Sequence, residues 1–358
     1  MNRDLFSRLS PRCPLCQSAG RAAPLEITYV LAEEGGELRE GILGCPEPAC
    51  QREFPVVDGI PLLFGDLCGV MSGQGHLLLE RTDLSAEMES LLGDAAGPGS
   101  AYDTARQHLS TYAESHWGDY AVPPDPEGET ASLSFRGVLE RAFEIAPPPL
   151  GGPCLDLGCA LGRGSFELAA RGGAPVVGID LHLGLLRRGA LARGGSFHYP
   201  RRKVGLVYQR AEVDLAGKLQ GEVDFWAADG LKLPFADATF NGLLSMNLID
   251  CVSSPWELLL EMRRVLAPGG IAWIATPWDW SSSRTAFPAW LGGHSQRGGS
   301  AGDSGEILRR LLRGEHPSAL QGFEIVGEEK RLPWRLRLHE RSTVDYAVDL
   351  LVLRRTGV

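Results

Sequence analysis

The sequence predicts an α/β protein built on a doubly wound parallel sheet, with a small cysteine-bearing module in front of it. Three observations carry the prediction. From about Ser134 short apolar strands alternate with longer amphipathic runs, the pattern of a parallel sheet covered by helices. A glycine-rich turn follows the first of those strands, and about 20 residues on a second strand ends in an acid. Four of the eight cysteines fall within the first 66 residues, in two tight pairs.

At 358 residues, 44% apolar and 22% charged, the chain has the composition of a globular protein of about two domains. Its net charge of −10 is a poor global field for a nucleic-acid binder. No apolar run approaches the roughly 18 to 20 residues that span a bilayer, and the first residues lack the apolar stretch of an export signal. A cytoplasmic protein is expected, and in that reducing compartment metal ligation or plain burial outcompetes disulfide bonding.

Residues 1–66 read as short strands and turns. Cys13 and Cys16 form one CxxC pair, and Cys45 and Cys50 close a second after CPEPAC. Two thiolate knuckles can supply four sulfurs in the tetrahedral arrangement that structural Zn2+ prefers. Such a site leaves no open position, so its expected role is to fold a module. The stretch REFPVVDGIPLLF at 52–64 then resembles the zinc-ribbon activator subunits of tRNA and protein methyltransferases. The resemblance implies a ribbon that braces the downstream domain in cis.

Residues 67–135 are expected to hold a glycine- and alanine-rich linker (93–101), a helix from Tyr102 to Tyr120, and a proline-broken loop, PPDPEGE. Tyr112, His116, Trp117 and Tyr120 share one face of that helix, which serves either as core or as a lid.

The main domain is expected over 136–358. Its first motif is LDLGCALGRG at 155–164, where Gly158 and Gly162 let backbone approach a ligand. Asp180 ends the next strand, placed to accept from both ribose hydroxyls of an adenosine-bearing cofactor. Asp156 precedes the first glycine; an acid there can receive an ammonium and would repel a pyrophosphate. These residues resemble class I S-adenosylmethionine-dependent methyltransferases across the second half of the chain. The resemblance implies a Rossmann-like, seven-stranded sheet that binds S-adenosyl-L-methionine. Asp156, Gly158, Cys159 and Gly162 match its first motif, with Ala160 where the family has a middle glycine. Asp180 matches the ribose acid and Ala228, Asp229 and Gly230 the adenine segment, while Met246 closes the fourth strand beside the cofactor.

Asn247 and Asp250 follow that strand, three apart. If the chain turns helical there, both can face one pocket; both are also good N-cap residues for the next helix. A buried carboxylate aimed at one imidazole nitrogen would leave the other nitrogen's lone pair free to attack a methyl group. The pairing resembles imidazole-targeting methyltransferases, and more closely the methyltransferase domain of ovothiol-synthesising enzymes, through TPWDW at 276–280, WLGG at 290–293 and LPWRLRLHER at 332–341. The resemblance implies an N-methyltransferase acting on a small molecule or a protein that bears an imidazole. Where that family has an aromatic after the last arginine, Ser342 and Thr343 stand, with Tyr346 nearest. Two alternatives stay open at this level: an RNA methyltransferase that docks RNA through the ribbon, and a non-catalytic scaffold that keeps the cofactor pocket. Cys154, Cys159 and Cys251 read as buried thiols, Asp279 as a turn former, and Arg187, Arg188, Arg201, Arg202 and Lys203 as surface charge.

Overall fold

The computed structural model describes residues 1–66, 82, 86, 98–297 and 300–357. Most of the expected linker and the segment before it therefore lie outside the described residues.

The N-terminal module contains two short helices, α1 (Arg3–Leu9) and α2 (Pro14–Ser18), followed by four strands. These are β1 (Glu26–Glu34), β2 (Glu37–Gly44), β3 (Glu53–Val57) and β4 (Ile60–Leu63). Two helices, α3 (Ala101–Trp117) and α4 (Pro126–Ile145), bracket the two-residue strand β5 (Ala121–Val122). The predicted boundary at 135/136 thus falls inside a helix. Asp125 caps α4 by accepting from the amides of Glu127 and Gly128, and Pro126 occupies its first turn. A proline there loses no hydrogen bond, so the segment that reads as a broken loop is a helix start.

The core then alternates β6 (Cys154–Leu157), α5 (Arg163–Gly172), β7 (Val176–Asp180) and α6 (Leu183–Arg193). A hairpin of β8 (Ser196–Val204) and β9 (Val207–Asp214) intervenes before β10 (Val223–Ala228), β11 (Phe240–Met246), α7 (Pro255–Val265) and β12 (Leu266–Thr276). Helix α8 (Ser304–Arg313) and the long strands β13 (Phe323–His339) and β14 (Ser342–Arg355) complete it.

The main sheet runs β1-β2-β3-β4-β10-β7-β6-β11-β12-β14-β13. Its last seven strands are the expected Rossmann-like sheet, with β14 antiparallel to both of its neighbours. The chain proceeds outward from β6 through β7 and β10, then returns to β11 and proceeds the other way. Beyond the carboxyl ends of β6 and β11 lies the switch point where open α/β sheets bind ligands.

The module is joined to the main sheet through its last strand. β4 pairs in parallel with β10, Leu62 opposite Ala227 and Leu63 opposite Ala228, so the ribbon lengthens the central sheet. Its loops dock as well: the Arg12 amide donates to the Pro234 carbonyl at 2.6 Å and the Gln17 side chain to the Leu233 carbonyl at 2.7 Å.

Period-two alternation puts apolar side chains on both sheet faces. Trp273, Val348, Leu350 and Val352 pack with Leu109, Trp117, Phe135 and Phe166 on one face. Ile274, Leu351 and Leu353 pack with Leu5, Leu258, Met262 and Leu308 on the other. Arg187, Arg188 and Arg201 are buried rather than solvated. Arg201 lies 2.6 Å from the fully buried Glu114, and Arg187 lies 2.6 Å from Asp58. Arginine's planar, weakly hydrated head tolerates such burial when a carboxylate pairs with it. Among the described residues no helix is long and apolar enough to cross a membrane.

Candidate functional site

The site is built on the carboxyl ends of β6, β7, β10, β11 and β12. After β6 the amides of Gly158 and Cys159 both donate to the Ile179 carbonyl, at 2.8 and 3.0 Å, and the Gly162 amide donates to the Cys159 carbonyl at 2.8 Å. Gly158 and Gly162 take φ of +77° and +78°. A Cβ at Gly158 would lie 2.9 Å from Leu248, and one at Gly162 would lie 2.3 Å from the Phe225 ring. The glycines are thus demanded by the protein's own packing, whereas the sequence suggested room for a ligand. The Cys159 thiol is buried beneath the loop, where a Cβ on Gly178 would come within 2.9 Å of its sulfur. With its amide also engaged by Ile179, Cys159 contributes shape to the loop.

Two acids flank the loop and a third follows β10. Asp156 is 3% exposed and accepts from the Ser165 hydroxyl at 2.7 Å. Burial, with a smaller push from the charge of Asp180, raises its pKa to about 7. Asp180 accepts the Ala160 amide at 2.9 Å on one oxygen and the His182 amide at 2.8 Å on the other. Burial raises its pKa as well, against those hydrogen bonds. Asp229 accepts the Leu231 amide at 2.9 Å and shapes the turn after β10. Ala228 is buried at the end of that strand, and a Cβ on Gly230 would lie 3.1 Å from Leu157. Met246, 9% exposed, packs into the core at the end of β11.

Asn247 follows Met246 with a φ of +52°, and its amide donates to the Ala275 carbonyl at 2.7 Å. The expected helical turn is absent: a left-handed bend at Asn247 and a turn at Ile249 and Asp250 replace it. Asn is among the few residues that accept such a φ readily. Neither Asn247 nor Asp250 caps α7, since Ser254 does so by accepting the Glu257 amide at 3.3 Å.

Asp250 is 1% exposed and accepts the Asp279 amide at 2.6 Å through Oδ2. Burial raises its pKa, and the charge of Asp279 adds to the effect. Its Oδ1, like Oδ1 of Asn247, is buried without a close hydrogen-bond partner among the described residues, while the Thr276 hydroxyl and the Cys251 thiol lie near the same carboxyl. Asp279 in turn accepts from the Tyr346 hydroxyl at 2.8 Å, so the residue that reads as a turn former joins Asp250 to Tyr346. The tryptophans of 276–293 form the adjoining wall: Trp278 and Trp280 lie 6.2 Å apart, and Trp280 stacks on Trp290 at 5.8 Å. Cys251 is exposed, contrary to expectation, because it stands on the turn just past Asp250.

The sequence does not single out Thr285. Its hydroxyl donates to the Val252 carbonyl at 2.6 Å and ties the loop after β12 to the Asp250 turn. Nor does it single out Arg163, whose amide donates to His116 Nδ1 at 3.2 Å and whose guanidinium pairs with Asp119 at 2.9 Å. His116 and Trp117 are core residues, 6% and 0% exposed. Burial drives His116 down to about 3, which keeps it neutral and able to accept.

In the N-terminal module, one sulfur from each of Cys13, Cys16, Cys45 and Cys50 lies within 4.8 Å of all the others. The Cys13–Cys50 and Cys16–Cys45 separations are 3.8 and 3.6 Å. Four sulfurs placed tetrahedrally about 2.3 Å from a zinc ion would be about 3.8 Å apart, so the set fits that ion.

Residues 155–274 match the family described as a methyltransferase domain. Over 262 residues the chain is 28% identical to the rice 24-methylenesterol C-methyltransferase 2, covering 70% of this chain and 64% of that protein. Over 156 residues it is 44% identical to an uncharacterized methyltransferase of Mycobacterium marinum, covering 42% of this chain and 59% of that one. It thus spans less than two thirds of both relatives. A solved S-adenosylmethionine-dependent methyltransferase from Methanosarcina mazei aligns with 60% of this chain and 96% of its own, at 20% identity and a TM-score of 0.38. The strand order and the matched family together make 155–274 the centre of a Rossmann-like methyltransferase domain.

Proposed function

We propose that the whole protein is an N-methyltransferase whose acceptor is an imidazole nitrogen, borne by a small molecule or by a protein. One observation carries the reading: the carboxylate oxygen of Asp250 and the amide oxygen of Asn247 are both buried and unpaired among the described residues, at the sheet edge where ligands bind. Buried polar atoms are rarely left without partners, so two such acceptors three residues apart at this edge favour a donor from outside. A ring N–H is such a donor. The names of the relatives, among them a sterol C-methyltransferase and a 27-O-demethylrifamycin methyltransferase, point to other acceptors. The imidazole therefore rests on this geometry and on the sequence motif.

When bound, S-adenosylmethionine supplies an electrophilic methyl on its sulfonium. Asp156 would receive the cofactor's ammonium and Asp180 its ribose hydroxyls, with Asp229 and Gly230 beside the adenine. Asp250 would accept the acceptor ring's N–H, fixing the tautomer whose other nitrogen carries the lone pair. The Asp250 carboxylate would stabilise the positive charge that methylation places on the acceptor ring, or take up the ring's proton. Asn247 would fix the ring's orientation. The Asp279 amide holds the Asp250 carboxylate, and the Tyr346 hydroxyl in turn holds the Asp279 side chain.

The four cysteines would bind a structural Zn2+, which serves the ribbon and takes no part in transfer. Radiolabelled methyl transfer, screened over histidine, thiohistidines, histidine peptides, total protein and RNA, tests the acceptor. Label on an imidazole nitrogen that disappears in Asp250→Asn is the expected result; label on RNA or on carbon alone refutes the reading.

A further inference from the structure

The chain between β12 and α8 carries five aromatic rings in a continuous band. Trp278 and Trp280 have centroids 6.2 Å apart, and Trp280 stacks on Trp290 at 5.8 Å with planes 14° apart. Phe287 meets Trp290 at 5.3 Å and His294 at 4.9 Å. The band starts beside the candidate acceptor pocket. Its first two tryptophans flank Asp279, whose amide donates to the Asp250 carboxylate at 2.6 Å. Farther along, the Thr285 hydroxyl donates to the Val252 carbonyl at 2.6 Å, two residues past Asp250.

Each indole N–H is engaged within the protein. Trp278 donates to Asp349 of β14 at 3.2 Å, Trp280 to Ser304 at the start of α8 at 2.9 Å, and Trp290 to the Thr285 carbonyl at 2.7 Å. The rings are therefore fixed, and their apolar faces and edges are what they can offer a ligand. All three tryptophans are only partly buried, and the band opens outward, with Phe287 51% exposed and His294 exposed. A small-molecule site encloses its ligand. An open band of fixed aromatic rings is instead the anchor pattern of an interface with another chain. Free histidine seated at Asp250 would leave this apolar surface in water.

We propose that the band holds the residue next to an acceptor histidine, so that the substrate is a polypeptide segment in which a planar apolar side chain adjoins the methylated imidazole. This rests on the imidazole reading above and selects the protein-borne acceptor within it. Stacking on fixed indoles favours an aromatic neighbour over an aliphatic one.

The test measures radiolabelled methyl transfer by the full chain to free histidine, to thiohistidine and to two capped tripeptides. One tripeptide has histidine between two alanines and the other has it between two phenylalanines. kcat/KM is expected to be about 10-fold or more higher for the phenylalanine peptide, and in Trp280→Ala and Phe287→Ala that ratio should fall to about 3-fold or less. Both peptides are read on the same protein, so partial unfolding of a variant cancels from the ratio. A ratio near one in the wild type, a ratio unchanged in both variants, or faster transfer to a free amino acid than to either peptide overturns the proposal and leaves the imidazole acceptor standing. Absence of label on the imidazole of every probe overturns the imidazole reading itself, and this proposal with it.

Discussion

The Asp180 carboxylate accepts the amide of Ala160 at 2.9 Å, while Ala160 sits at a φ of +46° where the family has glycine. The expected ribose acid is therefore also a clamp on the glycine loop. Asp180→Ala should weaken cofactor binding by about 1.5 to 3 kcal/mol, the scale of hydrogen bonds to a charged group. Ala160→Gly removes a Cβ from a left-handed position at the cost of a more flexible unfolded chain. It is expected to change stability by less than about 1 kcal/mol and to keep cofactor affinity. Calorimetry on the two variants checks this: because Ala160→Gly keeps the amide that donates to Asp180, a loss in that variant as large as that in Asp180→Ala would show that loop conformation, rather than the Asp180 carboxylate, sets affinity.

Asp250 should matter to turnover and not to cofactor binding. In Asp250→Asn, kcat/KM for the true acceptor should fall about 10²- to 10⁴-fold, the range for removal of a positioned acid or base. S-adenosylhomocysteine affinity should hold. Because burial raises the Asp250 pKa, kcat/KM in the wild type should lose its acid limb at a higher pH than an exposed aspartate would give. Unaltered turnover in Asp250→Asn would falsify the assignment.

Much of this was legible in the sequence because local pattern determines it. Short, nearly continuous apolar runs fix β6, β7 and β11, and Asp156, Asp180 and Asn247 stand at or near the strand ends where those runs break. What the sequence hid are partnerships between distant residues. Nothing near Leu62 marks its pairing with Ala227, so the ribbon reads as a separate domain. Nothing near Arg201 announces Glu114, so a buried ion pair reads as surface charge. Asp279 and Tyr346 are 67 residues apart, and only the packing of the β12 loop against β14 joins them.

That junction yields its own prediction. Tyr346→Phe deletes the hydrogen bond to Asp279 while preserving the ring, and the Asp279 amide is what holds Asp250. A moderate fall in kcat, about 3- to 10-fold, is expected, with cofactor affinity unchanged, since one hydrogen bond is worth about 0.5 to 1.5 kcal/mol. A loss as large as that of Asp250→Asn would instead place Tyr346 in direct contact with substrate.

Asp156 should make the unliganded protein sensitive to pH. Its folded pKa is raised to about 7 from an ordinary value of 3.8, so the stability it contributes is full below about pH 4 and is lost as pH rises through 7. Asp180 and Asp250 shift in the same direction and add to the trend. Asp156→Asn keeps an acceptor for Ser165 without the buried charge, so it should flatten the decline and raise the melting temperature at pH 8. Saturating S-adenosylhomocysteine should flatten it in the wild type, because the ligand's ammonium would neutralise the carboxylate. A melting temperature that rises with pH between 5 and 8 in the unliganded wild type contradicts this account.

The ribbon's fusion to the sheet makes the cysteine cluster matter beyond its own module. Metal analysis should return about one zinc per chain, and Cys16→Ser should lower it. Knuckles that lose their ion can no longer fix the Arg12 and Gln17 contacts to the Pro234 turn, and β4 loses its support beside β10. Structural zinc contributes several kcal/mol or more to folding. The melting of the whole chain, followed through Trp226 and Trp273 fluorescence, should therefore shift downward in one transition. Two separate transitions, with cofactor affinity untouched after metal removal, would mean that β4 is an appendage. A single lowered transition with weakened S-adenosylhomocysteine binding would mean that the ribbon and the methyltransferase sheet fold as one unit, with the cluster bracing the Asp229 turn from behind.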